Sequence, residues 1–229
     1  MRLPPLQAGI LLRRYQRFLA DIQLPDGSII TAHTPNTGSM KQCAVAGYRV
    51  MLSHSDNPKR KYPHTLELIE VNGAWVDINT QRSNRVVAEA LAGGVVDDLA
   101  GYTIHPERKL GESRMDFMLQ RGEKRLWLEV KNVTLMGSSV CACFPDAPTA
   151  RGRRHLQELL AAQRRGDGAA MVFLVQRAEA QLFSPAGDID SAYAELLRQV
   201  LSAGVQAYAL RTVTDSSFTR VDRRIPVVV

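Results

Sequence analysis

A chain of 229 residues with 45% hydrophobic content holds enough apolar material for one large packed domain or two small ones, and its change of rhythm midway favours two. A net charge of +6 and a pI near 9.5 point to a polyanionic partner, because basic surfaces attract phosphate backbones and release their counterions. No run approaches the roughly 18 consecutive apolar residues of a helical membrane span, and the odd set Cys43, Cys141 and Cys143 lacks zinc-ligand spacing, so the chain reads as soluble and cytoplasmic with reduced thiols.

From Gly9 to Ile78 short apolar segments alternate with turn residues: "RFLADIQL", then "PDG", "SIITAH", the loop "TPNTGSM", "YRVMLSH", a basic loop, "HTLELIEV", "NG" and "AWVDI". About five strands in so short a stretch predict a small OB-like β-barrel over residues 1–78, since an open sheet of that size leaves unpaired edges. Arg14, Tyr15, Arg17 and Phe18 fall on its first long strand, and Lys59, Arg60 and Lys61 in its basic loop. OB barrels bind single strands by stacking bases on aromatics within a basic groove. Tyr15 and Phe18 differ in parity, so one of the two is expected in the core.

After Asn79 the period lengthens. "TQRSNRVVAEALAGG" predicts a helix with Val86, Val87, Ala90 and Leu91 on its apolar face, ending at Gly93-Gly94. Strands follow at about 102–110, 114–120 and 125–133, then a Pro/Asp/Cys loop and a helix, "TARGRRHLQELLAAQRRG", that Thr149 is placed to cap. "AAMVFLVQ" is a continuous apolar run, the mark of a strand buried on both faces, and a helix and a strand complete residues 79–229. The fold class is therefore α+β: a small barrel, then a mixed α/β domain.

The hairpin "SRMDFMLQRGEKRLWLEVKNVTL" carries the chemistry. A two-residue loop at Gly122-Glu123 suits a type II′ turn and sets Arg121 opposite Lys124. Counting back, Asp116 falls opposite Glu129 and Arg114 opposite Lys131, with Arg114, Asp116 and Met118 sharing one face. Two facing carboxylates repel unless a cation lies between them, and Mg²⁺ accepts one or two carboxylates with waters and phosphate oxygens. Lys131, two residues beyond Glu129, is placed to orient a water or neutralise charge in a phosphoryl transition state. The residues alone equally admit an exposed face of ordinary cross-strand salt bridges.

At these residues the chain resembles the PD-(D/E)XK nuclease superfamily, and through "RRYQRFLADI", "HTPNTGSM", "KRKYPHTLEL", "NTQRSNRVVAEAL", "SRMDFML", "LEVKNVTL", "FPDAPTARGRRHLQEL" and "FSPAGDID" it resembles the sugar fermentation stimulation protein A (SfsA) family along nearly its whole length. The resemblance implies an OB-fold domain followed by a restriction-endonuclease-like domain, with nucleic-acid binding and a link to sugar utilisation, including maltose. It implies Asp116, Glu129 and Lys131 as the catalytic triad, and Asp116, Glu129 and Glu89 as ligands of Mg²⁺ or Mn²⁺. Met115 stands where the superfamily's name expects proline, at a position that varies widely.

Arg151, Arg154 and His155 open the helix after the third strand, where superfamily members often place side chains that touch phosphate and where the helix N-terminus attracts anions. With Arg14, Arg17, Lys59, Arg60, Lys61 and Arg114 they form the expected nucleic-acid-binding set. The expected activity is a metal-dependent DNA phosphodiesterase. RNA stays open as a substrate because OB barrels read both, and the alternative is a non-catalytic DNA-binding regulator that keeps the nuclease fold as a scaffold.

Overall fold

The computed structural model describes all 229 residues. Six strands build the first unit: β1 (Leu6–Tyr15), β2 (Leu19–Gln23), β3 (Ile29–His33), β4 (Arg49–His54), β5 (His64–Val71) and β6 (Ala74–Asp77). They pair in the order β3-β2-β1-β4-β5-β6, and the sheet curls until His33 of β3 bridges Thr65 of β5. Leu11, Ile22, Val50, Leu52, Leu66 and Ile69 fill the interior.

The count of five strands and the long first strand are corrected here. The chain turns over between β1 and β2 at Gln16 and Arg17, both in the left-handed region with φ of 48° and 64°. Neither is glycine, so the turn left no composition signal. Tyr15 and Phe18 consequently sit on either side of a hairpin tip and neither enters the core. The Tyr15 hydroxyl donates to Asp21 at 3.0 Å, and Phe18 is 45% exposed.

A 3₁₀ turn at Thr80–Arg82 leads into α1 (Ser83–Ala92), and Gly94, with φ of 72°, ends that turn of chain as expected. The second unit continues with β7 (Thr103–Leu110), β8 (Ser113–Arg121), β9 (Lys124–Val133), β10 (Leu135–Met136) and β11 (Cys141–Phe144). It closes with α2 (Ala150–Arg164), β12 (Gly168–Val175), β13 (Leu182–Pro185), α3 (Ser191–Ser202), β14 (Gln206–Thr214) and β15 (Thr219–Ile225). The main sheet has the order β15-β14-β12-β9-β8-β7, with β12 parallel to both its neighbours and buried along nearly its whole length. Thr149 caps α2 by accepting from the Gly152 N–H at 2.9 Å. One face of the sheet packs on α1 through Val86, Val87 and Leu91, and the other on α2 and α3 through Leu156, Leu159, Tyr193 and Leu197.

The sequence reading missed β15 and the small sheet β10-β11-β13. Its strands are two to four residues long, too short for alternation to declare itself.

A buried ion cluster joins the two units. Arg82 pairs with Glu67 of β5 at 2.8 Å and with Asp77 at the end of β6 at 2.8 and 2.9 Å, while Asn79 donates to Glu67 at 2.7 Å. On the other side of the junction Asp146 accepts from the Ser39 hydroxyl and the Met40 N–H, each at 3.1 Å. The loop Asn36–Ser39 is thereby held over the start of α1 and the end of β9.

Candidate metal and nucleic-acid site

The hairpin register holds from Arg121↔Lys124 back to Phe117↔Leu128, and Gly122 has the positive φ, 61°, that its turn requires. The ladder then stops. Asp116 is not paired with Glu129, and the β7 ladder skips the same place, opposite Glu107 with its φ of 49°. The irregularity turns the strand over. Met115 packs with Met118 on the α2 face while Phe117 and Leu119 pack on the α1 face, so the expected side shared by Arg114, Asp116 and Met118 does not exist. Arg114 is exposed and pairs with Glu107 at 3.0 Å instead of facing Lys131.

Freed from the ladder, Asp116 Oδ2 accepts the backbone N–H of Val130 at 2.8 Å, and Asn84 of α1 donates to Oδ1 at 2.7 Å. Glu129, 3% exposed, points toward α2. Its Oε1 accepts from Lys131 Nζ at 2.6 Å and from His155, while its Oε2 is shut from solvent with no hydrogen-bond partner. Asp116, Glu129 and Lys131 line one cleft of about 310 Å³ with Asn84, Asn132 and Arg151, and Asn36, Gly38 and Thr80 form its wall on the barrel side.

The two carboxylates are pushed apart electrostatically. Burial, then the charge of Glu129, raises Asp116 above its ordinary range, only partly offset by the Val130 N–H, Asn84 and Lys131. Burial also opposes ionisation of Glu129, but the His155 hydrogen bond and the Lys131 charge outweigh it and hold that carboxyl below its ordinary range.

Several expected contributors lie elsewhere. Glu89 is exposed on α1, outside the cleft, and pairs with the Met1 ammonium at 2.7 Å, so it is not placed to share a cation with Asp116; Asn84 is the α1 residue that reaches the site. Arg14 is half-buried and turned inward: its guanidinium donates to the carbonyls of Asn36, Gly38 and Ser39 at 2.8, 2.9 and 3.3 Å and to that of Arg17, fixing the cleft wall. His155 is 2% exposed and touches Glu129, which rules out a phosphate contact from its present position. Arg17, Lys59, Lys61, Arg151 and Arg154 are exposed. Arg60 donates to Thr65 Oγ1 at 2.8 Å and shares a separate surface cleft with His33, Lys61 and Tyr62.

Asn84 and Asn132 were missed. Asn84 is three and seven residues before Val87 and Leu91, so a polar side chain on an otherwise apolar helical stripe was the available signal. Asn132 carries a buried Nδ2 without a partner, while its Oδ1 accepts from Ser83 and Gln176 at 3.2 and 2.8 Å. Nothing in the local sequence announces that network.

The family model described as SfsA N-terminal OB domain matches residues 12–78, and that described as sugar fermentation stimulation protein RE domain matches residues 81–218. Among relatives, a sugar fermentation stimulation protein homolog from Syntrophotalea carbinolica is 57% identical over 228 residues, covering 99% of each chain. One from Pelobacter propionicus is 51% identical over 230 residues, covering 100% of each. The solved structure of Pyrococcus furiosus SfsA in complex with Ca²⁺ matches with a TM-score of 0.92 at 27% identity, covering 100% of this chain and 98% of that one. With the OB domain, the α/β domain and their junction shared along its whole length, this chain belongs to the sugar fermentation stimulation protein family.

Proposed function

We propose that this protein binds DNA and carries a divalent-metal-dependent phosphodiesterase site, with the second domain read as PD-(D/E)XK nuclease-like and Mg²⁺ or Mn²⁺ as the cation. The observation that carries the reading is the Asp116–Glu129 pair in one polar cleft, with Glu129 Oε2 buried and unpartnered. A buried acceptor without a donor costs free energy that a bound cation recovers. Asp146 also lines the cleft, but no three Asp, Glu, His or Cys residues are grouped to hold an ion together, so a cation there would take two carboxylates and otherwise waters and phosphate oxygens. The Ca²⁺ held by the Pyrococcus furiosus relative is likewise a hard, oxygen-seeking cation.

Asp116 and Glu129 would hold the cation, which when bound polarises a phosphodiester oxygen and acidifies a bound water. Lys131 supplies positive charge where the phosphoryl oxygens gain negative charge. Arg151, exposed at the cleft edge, orients the incoming phosphate, and Asn84 keeps Asp116 turned toward the opening. The remaining exposed basic residues attract the backbone without reading its sequence. The name of the relatives, sugar fermentation stimulation protein homolog, supports a link to sugar utilisation.

The deciding experiment incubates the pure protein with labelled single- and double-stranded DNA and RNA in Mg²⁺, Mn²⁺ or EDTA. Cleavage with either metal and none in EDTA is the expected result. Tight DNA binding without cleavage of any substrate overturns the phosphodiesterase and leaves a DNA-binding regulator on a nuclease-like scaffold.

A further inference from the structure

We infer that His155 is a positioning residue: through Nδ1 it holds Glu129 by one oxygen, leaves the other for the cation, and ties that carboxylate to the phosphate-facing Arg151. The inference rests on the phosphodiesterase reading of the same cleft. It follows from the donors and acceptors around the ring.

Arg151 Nε donates to His155 Nε2 at 3.4 Å. The guanidinium thus rests against one ring nitrogen, and the other is left to Glu129. Nδ1 in turn contacts Glu129 Oε1, which then receives two donors, the imidazole N–H and the Lys131 ammonium. The ring itself is 2% exposed on α2, one turn after Arg151, with Leu156 and Leu159 of the same helix in the core. It therefore has little freedom to turn.

The consequence is directional. Both donors gather on Oε1, and Oε2 is left without any, so the carboxylate cannot rotate to find Oε2 a donor without giving up a charge-assisted bond. Arg151 keeps its terminal guanidinium nitrogens for an anion in the cleft while its Nε remains on the ring. Binding of a phosphate there tightens the geometry that presents Glu129. Partners of metal ligands commonly act in this way, fixing the orientation of the residue that touches the ion.

Two measurements test this on the full chain. Calorimetry with Mn²⁺ compares wild type with His155→Leu and His155→Asn; Asn Nδ2 can stand where the imidazole Nδ1 stands. We expect His155→Leu to weaken Mn²⁺ binding by about 10-fold or more and His155→Asn to stay within about 3-fold of wild type. Proton NMR of the metal-free wild type should show a downfield imidazole N–H resonance from the hydrogen bond to Glu129, a readout that survives even if a variant fails to fold. Equal Mn²⁺ affinity in all three proteins, equal losses in both variants, or the absence of that resonance overturns the inference while leaving the phosphodiesterase intact. A wild type that binds no divalent cation overturns both.

Discussion

Val130 gives its backbone N–H to the Asp116 carboxylate at 2.8 Å, so a side chain occupies the hydrogen bond that the β8–β9 ladder relinquishes beyond Phe117. The break is what brings Asp116 into the cleft. A regular ladder would set Asp116 directly across from Glu129 with its backbone paired; the irregular one lets β8 turn over and lets Asn84 reach the free oxygen at 2.7 Å. Local irregularity beside a site is a common way to re-aim a side chain.

Asp116→Asn should raise the thermal midpoint of the metal-free protein at pH 7 and abolish Mg²⁺ binding. Asp116 is raised in the folded state by burial and by Glu129, so its ionisation opposes folding. Below the ordinary carboxylate range, near about pH 3, both states are protonated and no penalty exists; it grows as pH rises through the raised native value. An asparagine keeps both contacts if Asn84 flips, since its Oδ1 accepts from Val130 and its Nδ2 donates to Asn84. Melting curves from pH 3 to 8 should therefore show a gain near neutrality that vanishes in acid. A destabilised variant at pH 7 would count against the like-charge account.

Arg14→Ala should lower stability by about 1–3 kcal/mol, the cost of leaving part-buried acceptors unmet, because three carbonyls of the Asn36–Ser39 wall lose their donor. Arg154→Ala, at an exposed position, should leave stability unchanged and lower DNA affinity modestly. Urea unfolding and binding titrations separate the two. Wild-type affinity should fall by about 10³ or more from about 50 to about 200 mM salt if six or more phosphates are contacted. A salt-insensitive affinity would indicate a base-reading interface instead.

Arg82→Met should cost about 3–5 kcal/mol, because Glu67 and Asp77 then remain buried without their cation. The cluster lies at the root of α1, two residues before Asn84. We therefore expect weakened metal binding as well as a lower urea midpoint, measured by calorimetry at a temperature where the variant is folded. Unchanged metal affinity would mean that α1 holds Asn84 without help from the barrel.

How much of this was readable depends on where the controlling interaction lies. Gly122 fixed the hairpin register from sequence, because a turn that needs positive φ there leaves little choice of pairing. The break at Asp116 was not readable, since it goes with the left-handed backbone of Glu107 on the neighbouring strand, where the β7–β8 ladder also skips a pair. The turn at Gln16 and Arg17 was hidden for the opposite reason: residues that carry no turn signature adopt one. His155 was a legible error. It stands one and four residues from Leu156 and Leu159 on the buried stripe of α2, and that placement argues for a side chain facing the core and its carboxylate, against one reaching for phosphate. Glu89 was carried by resemblance alone, and the exposed face of α1 that it shares with Arg85 already spoke against it.

Lys131 separates catalysis from binding most cleanly. Its ammonium lies 2.6 Å from Glu129 Oε1 and 3.3 Å from His155 Nδ1, within the cleft that holds both carboxylates. Lys131→Ala leaves Asp116 and Glu129 in place and leaves His155 to hold Oε1, so Mn²⁺ binding should persist with modestly altered affinity. Losing the charge beside Glu129 removes one of the influences that keep that carboxyl below its ordinary range, so metal binding in the variant should begin to fail at a higher pH than in wild type as the solution is acidified. Cleavage should fall by about 10² or more, the usual loss on removing one group that stabilises transition-state charge, while DNA affinity changes little because many other basic residues still meet phosphate. Single-turnover rates at saturating Mn²⁺, set beside calorimetric titrations, distinguish the two effects. A variant that loses metal affinity and rate in equal proportion would reduce Lys131 to a prop for Glu129, and one that cleaves at the wild-type rate would remove it from the chemistry.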